Sequence, residues 1–235
     1  SATDPEGQTV TFSLSGTGSE NFSVDSSGNI SLVNALDYET ATSYTLALNA
    51  SDGVNTSTSE LIITVDDVNE APSLTNALAA SSFAENVATG TTIATASASD
   101  PESQSITYSL SGTGSGNFAV DSSGNITLAA GLDYETATSY SLTLSASDGV
   151  NTTTNTLAIS ISDVNEAPSL TNALAASSFA ENVATGTTIA TASASDPESQ
   201  TITYSLSGTG SDKFAVDSAG NITLSSALDY ETTTS

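Results

Sequence analysis

Apolar and polar residues alternate with period two along most of this chain. Ile106, Tyr108 and Leu110 interleave with Ser105, Thr107 and Ser109. Tyr140, Leu142, Leu144 and Ala146 follow the same rule, as do Leu157, Ile159 and Ile161, and Ile126 with Leu128. Such alternation predicts strands with one face in a core and the other in water. Ser111-Gly112-Thr113-Gly114, Ser123-Gly124-Asn125 and Asp148-Gly149 read as the turns between them. No segment carries a helical stripe of useful length. The expectation is an all-β chain with about seven short strands per structural unit, the pattern of a β-sandwich.

The pattern itself recurs. Asp-Pro-Glu begins at Asp4, Asp100 and Asp196, a step of 96 residues (100 − 4 = 196 − 100 = 96). Leu-Asp-Tyr-Glu has its Asp at Asp37, Asp133 and Asp229, and Ser-Asp-Gly-Val has Asp52 and Asp148. Asp-Val-Asn-Glu-Ala-Pro starts at Asp67 and Asp163, and Phe-Ala-Glu-Asn carries Glu85 and Glu181. Glu70 to Gln104 matches Glu166 to Gln200 without a difference. A period of this length fits one small domain per repeat. Pro72 and Pro168 fix φ and remove a donor, which suits stiff linkers between domains. Framed there, residues 1–70 form a partial repeat lacking its first strands, 71–167 a complete repeat, and 168–235 a partial repeat lacking its last strands. The chain thus reads as a fragment of a longer array, with its middle repeat well folded. Its two end repeats should fray or pair abnormally through open sheet edges.

Charge changes this picture most. Of the 27 acidic residues, 20 lie in the recurring motifs, which argues for ligand positions rather than a solvating coat. The formal charge is −26, with Lys213 the single basic residue. Phosphates have nothing to neutralise them, which excludes nucleic acid and an anionic membrane surface as partners. Cys is absent, so no disulfide can staple the fold, and no apolar run approaches the 18 residues of a membrane span. The ligand types on offer are carboxylates, amides, hydroxyls and carbonyls, without His or Cys. That set disfavours zinc and copper, and magnesium prefers to keep its waters. Calcium, a hard cation taking six to eight oxygens, remains.

The motifs also carry a family resemblance. Asp67-Val68-Asn69-Glu70-Ala71-Pro72 resembles the interdomain linker of cadherin repeats. Leu132-Asp133-Tyr134-Glu135 is similar to the cadherin Leu-Asp-Arg-Glu motif, with Tyr in place of Arg. Ala146-Ser147-Asp148-Gly149 resembles its Ala-x-Asp-x-Gly motif, and Ala98-Ser99-Asp100-Pro101-Glu102 its Asp-x-Asp motif. Ala84-Glu85-Asn86 resembles the first-strand Glu motif. All five stand in the family's order, and the near-identical Ser/Thr/Ala-rich repeats look like bacterial cadherin-like modules of large secreted adhesins. The resemblance implies tandem seven-stranded Greek-key β-sandwiches, with an immunoglobulin-like architecture and calcium at each domain junction.

Carried across, the first junction takes Asp37, Glu39, Asp67, Asn69 and Glu70 from one side, with the carbonyls of Val68 and Ala71. Asp100, Glu102 and Asp148 come from the other. The second takes Glu85, Asp133, Glu135, Asp163, Asn165 and Glu166, the carbonyls of Val164 and Ala167, and Asp196 with Glu198. Asp4, Glu6 and Asp52 occupy matching positions before the first junction, and Glu181, Asp229 and Glu231 after the second. Glu70 and Glu102 stand where the family more often has Asp, which extends their reach. Each junction lacks one ligand within this chain, the first-strand Glu in one and the Ser-Asp-Gly Asp in the other.

The expected role is a calcium-rigidified spacer of an extracellular, cell-surface adhesin that supports cell adhesion. Its partners would be calcium ions and neighbouring repeats, with cell-surface or polysaccharide ligands met by other domains. The alternative is a homophilic or carbohydrate-binding adhesion module. Phe83, Phe118, Tyr134 and Tyr140 could form a sugar-stacking face but read better as core or junction packing. Tyr38, Tyr134 and Tyr230 are expected to pack beside the ligands. Asn125-Ile126-Thr127 and Asn151-Thr152-Thr153 match the glycosylation sequon, as chance allows in a chain rich in Asn and Thr. The Asp/Glu pairs recur in every repeat, unlike the unique cleft pair of a glycosidase, so no enzyme is expected.

Overall fold

The computed structural model describes residues 2–76, 78–175 and 178–231. It is all-β, with single 3-10 turns at Ser19–Asn21, Ser115–Asn117 and Ser211–Lys213. The alternating runs form strands close to where the pattern places them: Thr107–Ser111, Asn125–Leu128, Ser139–Ser147 and Thr152–Ser162. Along the two long strands Leu142, Leu144, Ala146, Leu157, Ile159 and Ile161 face inward and alternate with more exposed positions, mostly Ser and Thr, the arrangement that a half-buried pleated surface favours.

The chain divides into two compact units. The first comprises Ser1–Ala79, Thr92–Thr127 and Ser141–Leu157, and the second Ala80–Thr91, Leu128–Tyr140 and Ala158–Ser235. The linker Asp67–Pro72 lies inside the first and Asp163–Pro168 inside the second, so each unit is organised around one linker.

In the first unit, Thr11–Ser15 pairs antiparallel with Ser43–Ser51, which pairs antiparallel with Thr56–Thr64. The same arrangement returns 96 residues later, where Thr107–Ser111 pairs antiparallel with Ser139–Ser147. The pairings of Thr11–Ser15 with Ser43–Ser51 and of Thr107–Ser111 with Ser139–Ser147 skip the intervening strands, the crossover of a Greek key. A second sheet contributes Ile93, Phe118 and Ile126, which are 7, 6 and 0% exposed; Leu142, Leu144 and Leu157 are fully buried at 0%. Removing six such side chains from water is the main force holding this sandwich together. Gly112, at φ 106°, lets the neighbouring strand approach, since a Cβ there would lie 2.7 Å from the carbonyl oxygen of Ser141.

In the second unit, Ser81–Ala84 runs parallel to the end of Thr152–Ser162, pairing with Ile159–Ser162. Thr188–Thr191, Asn221–Leu224 and Phe214–Val216 make a three-stranded sheet that buries Leu224 at 1% and Ile222 at 7%. Residues 202–207 repeat Ile106–Ser111 letter for letter, yet carry no strand. Strand formation there depends on a pairing partner, which the local sequence does not supply.

Candidate metal centres

Each linker gathers carboxylates from distant parts of the sequence. In the first unit, ligand atoms of Glu39, Glu70 and Glu102 all lie within 4.8 Å of one another. Glu39 lies in the turn in which Asp37 Oδ1 accepts the Thr40 N–H at 3.0 Å. Glu70 belongs to the linker, and its N–H donates to Glu102 Oε1 at 3.1 Å. Glu102 projects from the Asp-Pro-Glu turn, where Asp100 Oδ1 accepts the Gln104 N–H at 2.9 Å and Ser103 takes a left-handed φ of 60°.

Asn69 ties the linker to two further loops. Its amide donates to Asp148 Oδ2 at 2.8 Å and to its neighbour's carbonyl, Glu70 O, at 2.9 Å. The Asn151 amide donates to the Asn69 carbonyl at 2.9 Å, and the Gln104 amide donates to Asn69 Oδ1. The Asn69 hydrogen bond holds the Asp148 carboxyl below its usual range, helped by the N–H groups of Val150 and Asn151.

The second unit builds the same centre with one addition. Glu135, Glu166 and Glu198 form one close group, and Glu85, Asp133 and Glu135 another that shares Glu135. The Glu166 N–H donates to Glu198 Oε1 at 2.8 Å, the Asp196 turn accepts the Gln200 N–H at 2.8 Å, and the Gln200 amide donates to Asn165 Oδ1. Glu85 is 5% exposed and accepts the Tyr134 N–H at 2.6 Å and the Val164 N–H at 2.7 Å. One carboxylate thus fastens the Leu-Asp-Tyr-Glu turn and the linker to the strand that carries it. A further group, Glu181 with Asp229 and Glu231, is exposed throughout.

The electrostatics of the two centres match. Glu70 and Glu102 face each other, as do Glu166 and Glu198, and two close carboxylates do not both ionise readily. Hydrogen bonding to Glu102 first, then desolvation and the charges of Glu102, Glu39 and Asp67, pushes Glu70 up to about 7. Glu198 and desolvation likewise push Glu166 up to about 7, with Glu85 and Glu135 adding repulsion. Their partners Glu102 and Glu198 are lowered, so each pair shares one proton near neutral pH. Desolvation first, and then neighbouring carboxylates, raises Glu39 and Glu135. Four buried oxygens, Asp100 Oδ2, Glu102 Oε2, Glu166 Oε2 and Glu198 Oε2, receive no backbone or amide N–H. Buried acceptors without donors, inside clusters of like charge, fit a cation with oxygen ligands.

Other expected ligands stand apart from these close groups. Asp37, Asp67, Asp148 and Asp163 belong to none of them, although Asp148 joins through Asn69 and Asp67 and Asp163 act by charge. Asp4 and Asp52 line a cavity of about 210 Å³ with Asn55, while Glu6 joins no group. Tyr38 and Tyr134 are half-buried, but Tyr230 is 68% exposed and packs against little. Phe118 is core, as expected, and Phe83 and Tyr140 are half-buried. Gln104, Gln200 and Asn151 were not among the expected functional residues. Their signal was present, since Gln104 and Gln200 keep the 96-residue step directly after the Asp-Pro-Glu motif.

This fold and these acidic linkers define a tandem array of extracellular-type β-sandwich modules. The cadherin-domain family model matches residues 1–66, 80–162 and 176–235, and the chain belongs to that family. It is 34% identical over 247 residues to Cadherin-23 of Homo sapiens, covering 98% of this chain and 7% of that protein. It is 33% identical over 226 residues to the Protocadherin-like wing polarity protein stan of Drosophila melanogaster, covering 87% of this chain and 6% of that protein. The chain therefore spans only a small part of these relatives' length. Among solved structures, mouse Cadherin-23 EC22-24 aligns with a TM-score of 0.59 at 27% identity, covering 98% of this chain and 81% of that one.

Proposed function

We propose that these repeats bind calcium at their linkers and thereby stiffen an extended cell-surface adhesin. The observation that carries the reading is the convergence of Glu39, Glu70 and Glu102, repeated by Glu135, Glu166 and Glu198. The ligands of the first centre are Asp37, Glu39, Asp67, Asn69, Glu70, Asp100, Glu102 and Asp148. Those of the second are Glu85, Asp133, Glu135, Asp163, Asn165, Glu166, Asp196 and Glu198. The bound cation supplies positive charge that replaces mutual repulsion with shared coordination, while Glu85 and Asn69 hold the surrounding loops in place. The repeats are bounded at 1–70, 71–167 and 168–235, with their last acidic linker residue or its proline at each border. The role is structural and extracellular, not enzymatic. The identity of Glu70–Gln104 with Glu166–Gln200 supports an array in which copies of one spacer add length.

Small-angle scattering of this chain in calcium and in chelator tests the reading. The maximum dimension should be larger and better defined in calcium. Equal dimensions in both conditions overturn the stiffening role, and calorimetry showing no calcium uptake overturns the sites themselves.

A further inference from the structure

We infer that Gln104 and Gln200 are latches that compete with calcium for the side-chain oxygens of Asn69 and Asn165. The inference rests on the calcium reading proposed above and adds two neutral residues that set how tightly the ion is held.

The oxygens of the two centres fall into two sets. Asp100 Oδ2, Glu102 Oε2, Glu166 Oε2 and Glu198 Oε2 are buried and receive no backbone or amide N–H. A cation reaches them without displacing such a donor. The oxygens around Asn69 are already engaged. Asp148 Oδ1 accepts the Val150 and Asn151 N–H groups, both at 2.6 Å, and Asp148 Oδ2 accepts Asn69 Nδ2–H at 2.8 Å. The same amide nitrogen donates to Glu70 O at 2.9 Å. Asn69 Oδ1, the one side-chain oxygen this residue can offer an ion, accepts the Gln104 amide. The second centre repeats the latch. Asn165 Nδ2–H donates to Glu166 O at 2.9 Å, and Asn165 Oδ1 accepts the Gln200 amide.

Each Gln is fixed at two points. Its backbone N–H donates to the preceding Asp-Pro-Glu turn, to Asp100 Oδ1 at 2.9 Å and to Asp196 Oδ1 at 2.8 Å. Its side chain then reaches the linker, so one residue ties turn to linker. An amide suits this place because it donates to Oδ1 without adding charge to a crowded acidic centre. It also sets a direction. With Oδ1 turned toward Gln104, Nδ2 faces Asp148, and an N–H points at that carboxylate where an ion would otherwise pair with it. For Asn69 and Asp148 to ligate together, the Asn69 amide must turn over and release Gln104. The released hydrogen bond corresponds to about threefold to tenfold in affinity.

Thermal melts and calorimetric calcium titration of the whole chain test this, with Gln104→Ala and Gln200→Ala combined in one variant. Both residues are exposed, and their backbone bonds to the Asp turns survive the substitution. In chelator the variant should melt about 3 °C lower, because each linker loses a tie. In calcium it should bind about threefold to tenfold tighter, because no latch has to be released. Gln104→Met with Gln200→Met keeps the bulk and removes only the amide, so it should show the same two changes. In the wild type, the side-chain amide protons of Gln104 and Gln200 should exchange with water faster once calcium is added. An unchanged calcium constant in either variant overturns the latch. So does weaker binding, which a merely structural contact would give, and so does an unchanged melt in chelator. A wild type that takes up no calcium is a different failure, because it overturns the reading on which the latch rests.

Discussion

Glu85 and Glu181 occupy the same word, Phe-Ala-Glu-Asn, and end in different surroundings. Glu85 is 5% exposed and accepts N–H groups from Tyr134 and Val164, at 2.6 and 2.7 Å. Glu181 is exposed and accepts one, from Tyr230 at 3.0 Å. The second contact makes the difference. Val164 belongs to the linker after the middle repeat, and its N–H draws the carboxylate inward and fixes it against Asp133 and Glu135. A ligand position is thus written locally, whereas a preorganised site requires a distant segment to close over it.

The largest expected effect comes from removing the two carboxylates. Glu85→Ala leaves two N–H groups without their acceptor and should cost about 2 kcal/mol in urea unfolding in chelator. Glu181→Ala should cost less than about 0.5 kcal/mol, as an exposed substitution does. Equal costs would break the comparison between the two words.

Next come the facing pairs. Glu102→Gln and Glu198→Gln each remove one of two close acids. In chelator above about pH 7 both variants should melt higher than wild type, because two ionised acids no longer face each other. In calcium both should gain less from the ion. Differential scanning with and without calcium reads the reversal, and a variant destabilised in both conditions would show that the pair acts only through packing.

pH sharpens the same point. Glu70 and Glu166 are raised from 4.5 to about 7 in the folded chain. A raised carboxyl contributes its stability below the unfolded value, and that contribution is lost as pH rises through the folded one. Melting temperature in chelator should therefore fall from about pH 4.5 to about pH 7. Glu102 and Glu198, being lowered, place their opposing limb below pH 4.5. Calcium uptake at pH 7 should release protons, because the ion needs both acids ionised, and buffers of different ionisation enthalpy will count them by calorimetry. No release at pH 7 would mean that the pairs are already fully ionised.

The smallest effect concerns one turn. Ser103 and Ser199 hold left-handed φ values of 60° and 61°, where the first repeat has Gly7 at φ 77°. Ser103→Gly should stabilise by a few tenths of a kcal/mol, and Gly7→Ser should destabilise by up to about 1 kcal/mol. Thermal melts of the two single variants measure both.

The period-two runs located the long strands, because alternation is set by the pleat and needs no knowledge of the partner. The short strands Ser73–Leu74 and Ala98–Ser99 gave no such signal, since two residues cannot show a period. The acids of the candidate centres were legible because they recur at one spacing. Which of them meet was not: Asp37 and Asp67 stay outside the close group that Glu39 and Glu70 enter. The first repeat keeps its sheet of Thr11–Ser15, Ser43–Ser51 and Thr56–Thr64, whereas residues 202–207 lose their strand.

By itself, the sequence determined an all-β chain of repeats with acidic linkers, because side-chain alternation and turn chemistry act over a few residues and recur with the repeat. Only the tertiary structure decided which identical segments become equivalent. Thr107–Ser111 is a strand and residues 203–207 are not, and Glu85 is buried while Glu181 is exposed. Pairing partners and desolvation come from residues tens of positions away, and two copies of one sequence need not share them.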